Sequence, residues 1–171
     1  MSDTPEQVSM REVFALAIET ERNGREFYRA AAAAAGDPEV QRLMRHLAEA
    51  EGEHEAAFRR MLAEAFPPPD AAEAPAAPPV EVISAEQQEY LAALLRSRVL
   101  PDRDTALRVV AEMADGLAAL DFAIAFEKDT ILLMHQLQEM LAEANREPLA
   151  RLIQQEHIHV RLLQQFQDMR R

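Results

Sequence analysis

A glutamate and a histidine three residues apart, repeated once, constrain the fold of this chain more than any other feature. Glu51 and His54 occur in a run whose apolar residues recur every three or four positions, which is the period of one face of an α-helix. Glu156 and His159 repeat this spacing near the C-terminus, again among apolar residues. In both copies the polar pair falls inside the apolar stripe. Because an unpaired buried charge is very costly, the two motifs predict helices packed around a shared polar centre.

Each motif follows another helical glutamate at a similar distance. The segment ALAIET aligns with the segment AIAFEK, and this alignment pairs Glu19 with Glu127. Glu19 precedes Glu51 by 32 residues, and Glu127 precedes Glu156 by 29 residues. A hairpin of two helices that carries Glu and then Glu-x-x-His is therefore predicted twice.

Local signals mark where the helices begin and end. Ser9 starts a capping box, and the Gly36-Asp37-Pro38 sequence ends one helix and starts the next, with Asp37 as its N-cap. Asn145 is predicted to cap the last helix, with Pro148 in its first turn. The long helices are expected at about 9–35, 38–66 and 117–144, and from Asn145 to the C-terminus.

The two hairpins are joined by a stretch rich in proline and alanine. Residues 67–79 read PPPDAAEAPAAPP, which cannot form a helix and favours an extended connection. A second capping box at 84–87 predicts a short helix to about Arg98. We expect a single domain over residues 1–171, with 67–84 as a crossover inside it. The predicted fold is all-α: an antiparallel four-helix bundle with one long crossover that carries a short extra helix.

Composition narrows the class of protein further. Alanine, leucine, glutamate, glutamine and arginine dominate, and they are good helix formers. The formal charge of −12 argues against nucleic acid or an anionic membrane as a partner. The chain has no cysteine, which excludes thiolate chemistry within these residues. Neither a secretory signal nor a membrane-spanning run is visible, so we expect a cytoplasmic protein.

Side chains from four helices that meet inside a bundle form a ligand set for two divalent first-row metal ions. Two such ions about 3.5–4 Å apart repel each other, and bridging carboxylates relieve that repulsion. Four carboxylates balance the four positive charges. Glu51 and Glu156 are the predicted bridging ligands, and Glu19 and Glu127 the terminal ones. No catalytic residue is predicted beyond the ligands, which are Glu19, Glu51, His54, Glu127, Glu156 and His159.

Other polar residues near these motifs have simpler interpretations. Glu55 is expected on a solvated face, and His157 is expected to be solvated. His135 is expected in the core, and Tyr28 has an imperfect spacing for a hydrogen bond near the site.

The motifs resemble the di-iron domain of the rubrerythrin family, within the ferritin-like superfamily. The resemblance implies a centre of two iron ions that reacts with hydrogen peroxide or dioxygen. Two manganese ions or a mixed pair of metals could occupy the centre instead. Proteins of this family often form homodimers. The residues that carry it are Ile18-Glu19, Glu51-Gly52-Glu53-His54, Phe126-Glu127-Lys128-Asp129 and Glu156-His157-Ile158-His159.

The chain departs from the family pattern in two respects. Full-length members carry an iron module bound by cysteines, which a cysteine-free chain lacks, so turnover here needs an external electron donor. Peroxidase members place an extra glutamate one turn beyond the third-helix ligand, where this chain has Thr130. The resemblance then favours the symmetric six-ligand site of ferritin-like oxidases.

Three functions fit these observations. The first is a di-iron oxidoreductase of ferroxidase or peroxidase type. The second is an iron or manganese buffer or a sensor that binds metal without catalysis. The third is a metal-free structural bundle.

Overall fold

The computed structural model describes residues 10–66, 116–141 and 143–170, with six single positions between the two halves, at 86, 89, 104, 105, 108 and 110. The described residues contain no strand. They form four long helices: α1 (Met10–Ala34), α2 (Pro38–Ala65), α3 (Gly116–Met140) and α4 (Glu143–Asp168). The prediction of an all-α four-helix bundle is confirmed.

The helices form two hairpins. Residues 35–37 join α1 to α2, and α4 begins three residues after the last residue of α3, so each pair is antiparallel. Helix α1 also packs against α3, which brings the hairpins together. The predicted crossover at 67–84 lies outside the described residues. So does the predicted short helix that follows it, apart from Glu86 and Glu89, which are helical.

The start of α2 follows the sequence signals. The side chain of Asp37 accepts a hydrogen bond of 2.7 Å from the backbone N–H of Glu39, and Pro38 occupies the first turn. Proline is tolerated there because its missing N–H has no partner inside the helix.

The second turn lies a few residues earlier in the chain than predicted. Helix α3 ends at Met140, and α4 already begins at Glu143, so the prediction that Asn145 caps α4 is wrong. The Arg146 side chain donates a 2.8 Å hydrogen bond to the carbonyl oxygen of Leu141, which satisfies a group left open where α3 ends. Pro148 lies inside α4, where it removes one helical hydrogen bond.

Two apolar clusters fill the two ends of the bundle. The first joins the start of α1, the end of α2, the end of α3 and the start of α4, and it includes Phe14, Phe58, Leu137 and Leu149. The second joins the opposite helix ends and includes Phe27, Met44, Leu120 and Leu163. The middle of the bundle, between these clusters, is polar.

Candidate metal centre

Six buried side chains come together in the middle of the bundle, and none is more than 4% exposed. Their ligand atoms form two groups, each within 4.8 Å. The first group, the His54 position, consists of Glu21, Glu51, His54 and Glu156. The second group, the His159 position, consists of Glu51, Glu127, Glu156 and His159. Glu51 and Glu156 belong to both groups, as expected of bridging ligands.

Glu156 connects the two histidines directly. Its Oε1 atom lies 2.5 Å from Nδ1 of His54, and its Oε2 atom lies 2.9 Å from Nδ1 of His159. The two imidazole rings are nearly parallel, at 22°, with centroids 5.5 Å apart. One carboxylate therefore spans the gap between two nitrogen donors that face inward.

The remaining carboxylates complete each position. Oε2 of Glu21 lies 3.5 Å from Nδ1 of His54. Oε1 of Glu127 lies 3.6 Å from Nδ1 of His159, and Oε1 of Glu51 lies 3.7 Å from the same nitrogen. Each position thus has a terminal carboxylate, an imidazole and a share of two bridging carboxylates.

The structure places one of the side chains predicted as ligands away from the other five. Five of the six predicted side chains meet, but Glu19 is exposed and Glu21 takes its place. The reason is helical phase: Glu21 falls four residues after Ala17 and three before Gly24, both buried, whereas Glu19 falls between buried rows. The spacing signal was also present in the sequence, because Glu21 precedes Glu51 by 30 residues, closer to the 29 of the second hairpin.

Many polar atoms of the site have no hydrogen-bond partner among the described residues. These atoms are both oxygens of Glu21 and Glu51, Oε2 of Glu127, Oε1 of Glu156 and Nδ1 of His54. The short contact between His54 and Glu156 lacks the angles of a hydrogen bond. Buried polar groups are normally paired, and such convergence of unpaired oxygen and nitrogen atoms suits metal coordination.

Gly24 provides room for this arrangement. A Cβ atom at this position would lie 2.7 Å from a ring carbon of Phe126 and 3.1 Å from Oε2 of Glu51. Only a residue without a side chain lets Glu51 and Phe126 approach α1 so closely.

The buried carboxylates and imidazoles of the site change one another's pKa values. Burial, together with the charges of neighbouring carboxylates, raises the pKa of Glu51 well above its usual value. Burial raises the pKa of Glu127 to about 8. Burial lowers the pKa of His54 and His159, but the close contacts with carboxylates outweigh it, so the pKa values rise to about 11 and about 9. The protonated imidazole rings supply positive charge next to the carboxylates, as metal cations would.

Comparison with known proteins agrees with this geometry. The family model described as Rubrerythrin matches residues 12–167, which is most of the chain. The chain belongs to the rubrerythrin family. No curated protein matches it.

A solved structure from Thermotoga maritima, provisionally described as a ferritin-like diiron-carboxylate protein, has a similar fold. The match has a TM-score of 0.67 and covers 95% of this chain and 97% of that chain, at 23% sequence identity. The ferritin-like fold predicted for this rubrerythrin-family chain is thereby confirmed.

Two further residues contact or flank the centre of this rubrerythrin-family protein. The hydroxyl group of Tyr28, which is fully buried, donates a 2.5 Å hydrogen bond to Oε1 of Glu127. Thr130 lies one turn beyond Glu127 and is 1% exposed, with no hydrogen-bond partner for its hydroxyl among the described residues.

The structure also places the other polar residues that the sequence singled out. Glu55 is 1% exposed, so its prediction as a solvated residue is wrong; Arg25 and Arg59 pair with it at 2.8 and 2.5 Å. His157 is exposed as predicted, and His135 is exposed rather than in the core. None of the described helices combines the length and apolar character needed to cross a bilayer.

Proposed function

We propose that this protein is a di-iron oxidoreductase, in which a pair of ferrous ions is oxidised by peroxide or dioxygen. The observation that carries the proposal is the two groups of buried ligand atoms that share Glu51 and Glu156, many of which have no hydrogen-bond partner among the described residues. Four carboxylates offset two divalent ions, so the loaded site is electrically neutral in its apolar surroundings. The donors are oxygen and nitrogen only, which suits iron or manganese.

The side chains have distinct parts in this proposal. Glu51 and Glu156 would be shared by the two ions, Glu21 and Glu127 would each hold one of them, and His54 and His159 would each supply one nitrogen. Tyr28 holds Glu127 through its hydroxyl group. The apolar clusters on both sides exclude bulk water from the site. When bound, the iron pair supplies the redox chemistry.

The reductant must come from elsewhere, because these residues include no cysteine to hold an additional iron module. We therefore propose an external electron donor. Association into a homodimer stays a prediction, which light scattering of the purified protein tests.

A second candidate is a metal-binding module without turnover. The observation that favours it is Thr130, which places a hydroxyl rather than a carboxylate one turn beyond Glu127. This turn of α3 therefore lacks the extra carboxylate to which a metal ion could shift.

Stopped-flow absorbance separates these functions. Protein loaded anaerobically with Fe²⁺ is mixed with hydrogen peroxide or with dioxygenated buffer, and we expect rapid growth of ferric absorbance. Glu19→Gln is the matched control and should react like the wild type, whereas Glu21→Gln should react slowly or not at all. Two bound irons without any absorbance change would favour the binding module, and no bound iron would contradict metal function altogether.

A further inference from the structure

The outer nitrogen of His54 is hydrogen-bonded to a residue that has no ligand role. Nε2 of His54, on α2, lies 2.8 Å from Oε1 of Gln155, on α4. A carbonyl oxygen accepts hydrogen bonds and cannot donate them, so Nε2 carries a proton whether the ring is neutral or charged. In the neutral ring, Nδ1 then turns its lone pair towards the carboxylates.

The second histidine has no counterpart of this contact within the part of the chain that the structure describes. Gln155 directly precedes Glu156, and the equivalent residue of the first hairpin, directly before Glu51, is Ala50. Alanine offers no side-chain acceptor. Among the described residues none is hydrogen-bonded to Nε2 of His159, whose Nδ1 faces the carboxylates. The duplicated motif therefore differs in the groups that surround it.

Gln155 reaches His54 from the solvent side. Both residues line a groove of about 360 Å³ between α2 and α4, together with the apolar side chains of Ala57 and Leu152. Gln155 is exposed, whereas His54 is only 2% exposed. A substitution at Gln155 therefore removes the hydrogen bond without opening the apolar clusters.

We propose that Gln155 is a positioning residue for the metal ion at the His54 position, an inference that rests on the proposed function. Its oxygen fixes the tautomer and the orientation of His54 before an ion arrives, so less ordering is needed on binding. The hydrogen bond also makes the inner nitrogen a better donor. Loss of Gln155 should weaken the ion at the His54 position and leave the ion at the His159 position unchanged.

The test is a titration of the metal-free full chain with Co²⁺ against a chromophoric chelator. Gln155→Leu keeps the size of the side chain but removes the acceptor, and we expect one of the two ions to bind about 10–100-fold more weakly. Gln155→Glu keeps an acceptor and should stay within about threefold of the wild type or bind more tightly. Gln154→Leu changes the neighbouring exposed glutamine and should bind like the wild type.

Anomalous scattering at the cobalt edge identifies which ion is affected. In crystals with one equivalent of Co²⁺, the occupancy beside His54 should fall in Gln155→Leu relative to the occupancy beside His159. Wild-type affinity in Gln155→Leu, a loss beside His159, or an equal loss in Gln155→Glu would overturn the role of Gln155. A wild-type chain that binds no Co²⁺ would overturn the proposed metal function itself.

Discussion

The two metal positions have the same ligand types but different supports. At the His54 position the imidazole is held by Gln155, while both oxygens of Glu21 lack a hydrogen-bond partner among the described residues. At the His159 position the carboxylate of Glu127 is held by Tyr28, while no described residue is hydrogen-bonded to the outer nitrogen of His159. A hydrogen bond from a neighbouring residue thus holds the histidine at the His54 position and the terminal carboxylate at the His159 position.

The two hairpins are therefore alike in the side chains that converge at the centre and differ in the groups that contact those side chains. The ligands are constrained by charge, because two ions need four carboxylates. Their outer partners only orient them, and different residues can do so. The predictions below separate what the two positions share from what distinguishes them.

The largest effect is expected at the ligand that both positions share. Glu156→Gln keeps the volume of the side chain but removes the charge that faces both imidazoles. We expect metal content to fall from two ions per chain towards none, measured by elemental analysis of protein that retains its helical circular dichroism. One ion retained at full occupancy would show that the positions are independent.

A terminal ligand should affect one position only. Glu21→Gln should remove the ion beside His54 and leave the other, so metal content falls by half. Glu19→Gln is the control, because Glu19 is exposed and only two residues away. Loss of metal in Glu19→Gln, with none in Glu21→Gln, would restore the ligand predicted from sequence.

Tyr28→Phe should affect the His159 position in the way that Gln155→Leu affects the His54 position. It removes one hydroxyl group and keeps the ring that packs between Phe27 and Phe126. Because Glu127 then loses its hydrogen bond, the ion beside His159 should bind about 10–100-fold more weakly, in a chelator competition titration. Equal weakening at both positions would mean that the two supports act on the centre as a whole.

An effect no larger than that of Tyr28→Phe is expected from one unit of pH. Burial raises the pKa of Glu127 to about 8, and carboxylate partners raise that of His159 to about 9 despite burial. Both groups hold protons at neutral pH, and an ion must displace them, so affinity should fall as pH falls. Each displaced proton corresponds to about tenfold in affinity per pH unit. Titrations at pH 8 and pH 7 measure this, and equal affinities would contradict the pKa shifts.

Much of the fold and of the site could be predicted from sequence. Helical periodicity, the Asp37 cap and the repeated Glu-x-x-His motif predicted the bundle, and five of the six side chains predicted as ligands meet at its centre. The error at α1 arose because local similarity between ALAIET and AIAFEK was given more weight than helical phase, which favours Glu21.

Other features depend on contacts between helices and leave no local signal. Gln155 looks like any exposed glutamine until α2 places His54 beside it. Glu55 looks solvated until Arg25, from α1, pairs with it. The start of α4 was predicted too late in the chain. The hydrogen bond from the Arg146 side chain to the carbonyl oxygen of Leu141, where α3 ends, could not be predicted from the local sequence.

The most direct test of a shared two-ion centre is anomalous scattering from crystals loaded with Fe²⁺ without oxygen, recorded on both sides of the iron edge. We predict two iron peaks between the four helices, one beside His54 and one beside His159, with Glu51 and Glu156 contacting both. A single peak, or no peak among these side chains, would contradict it.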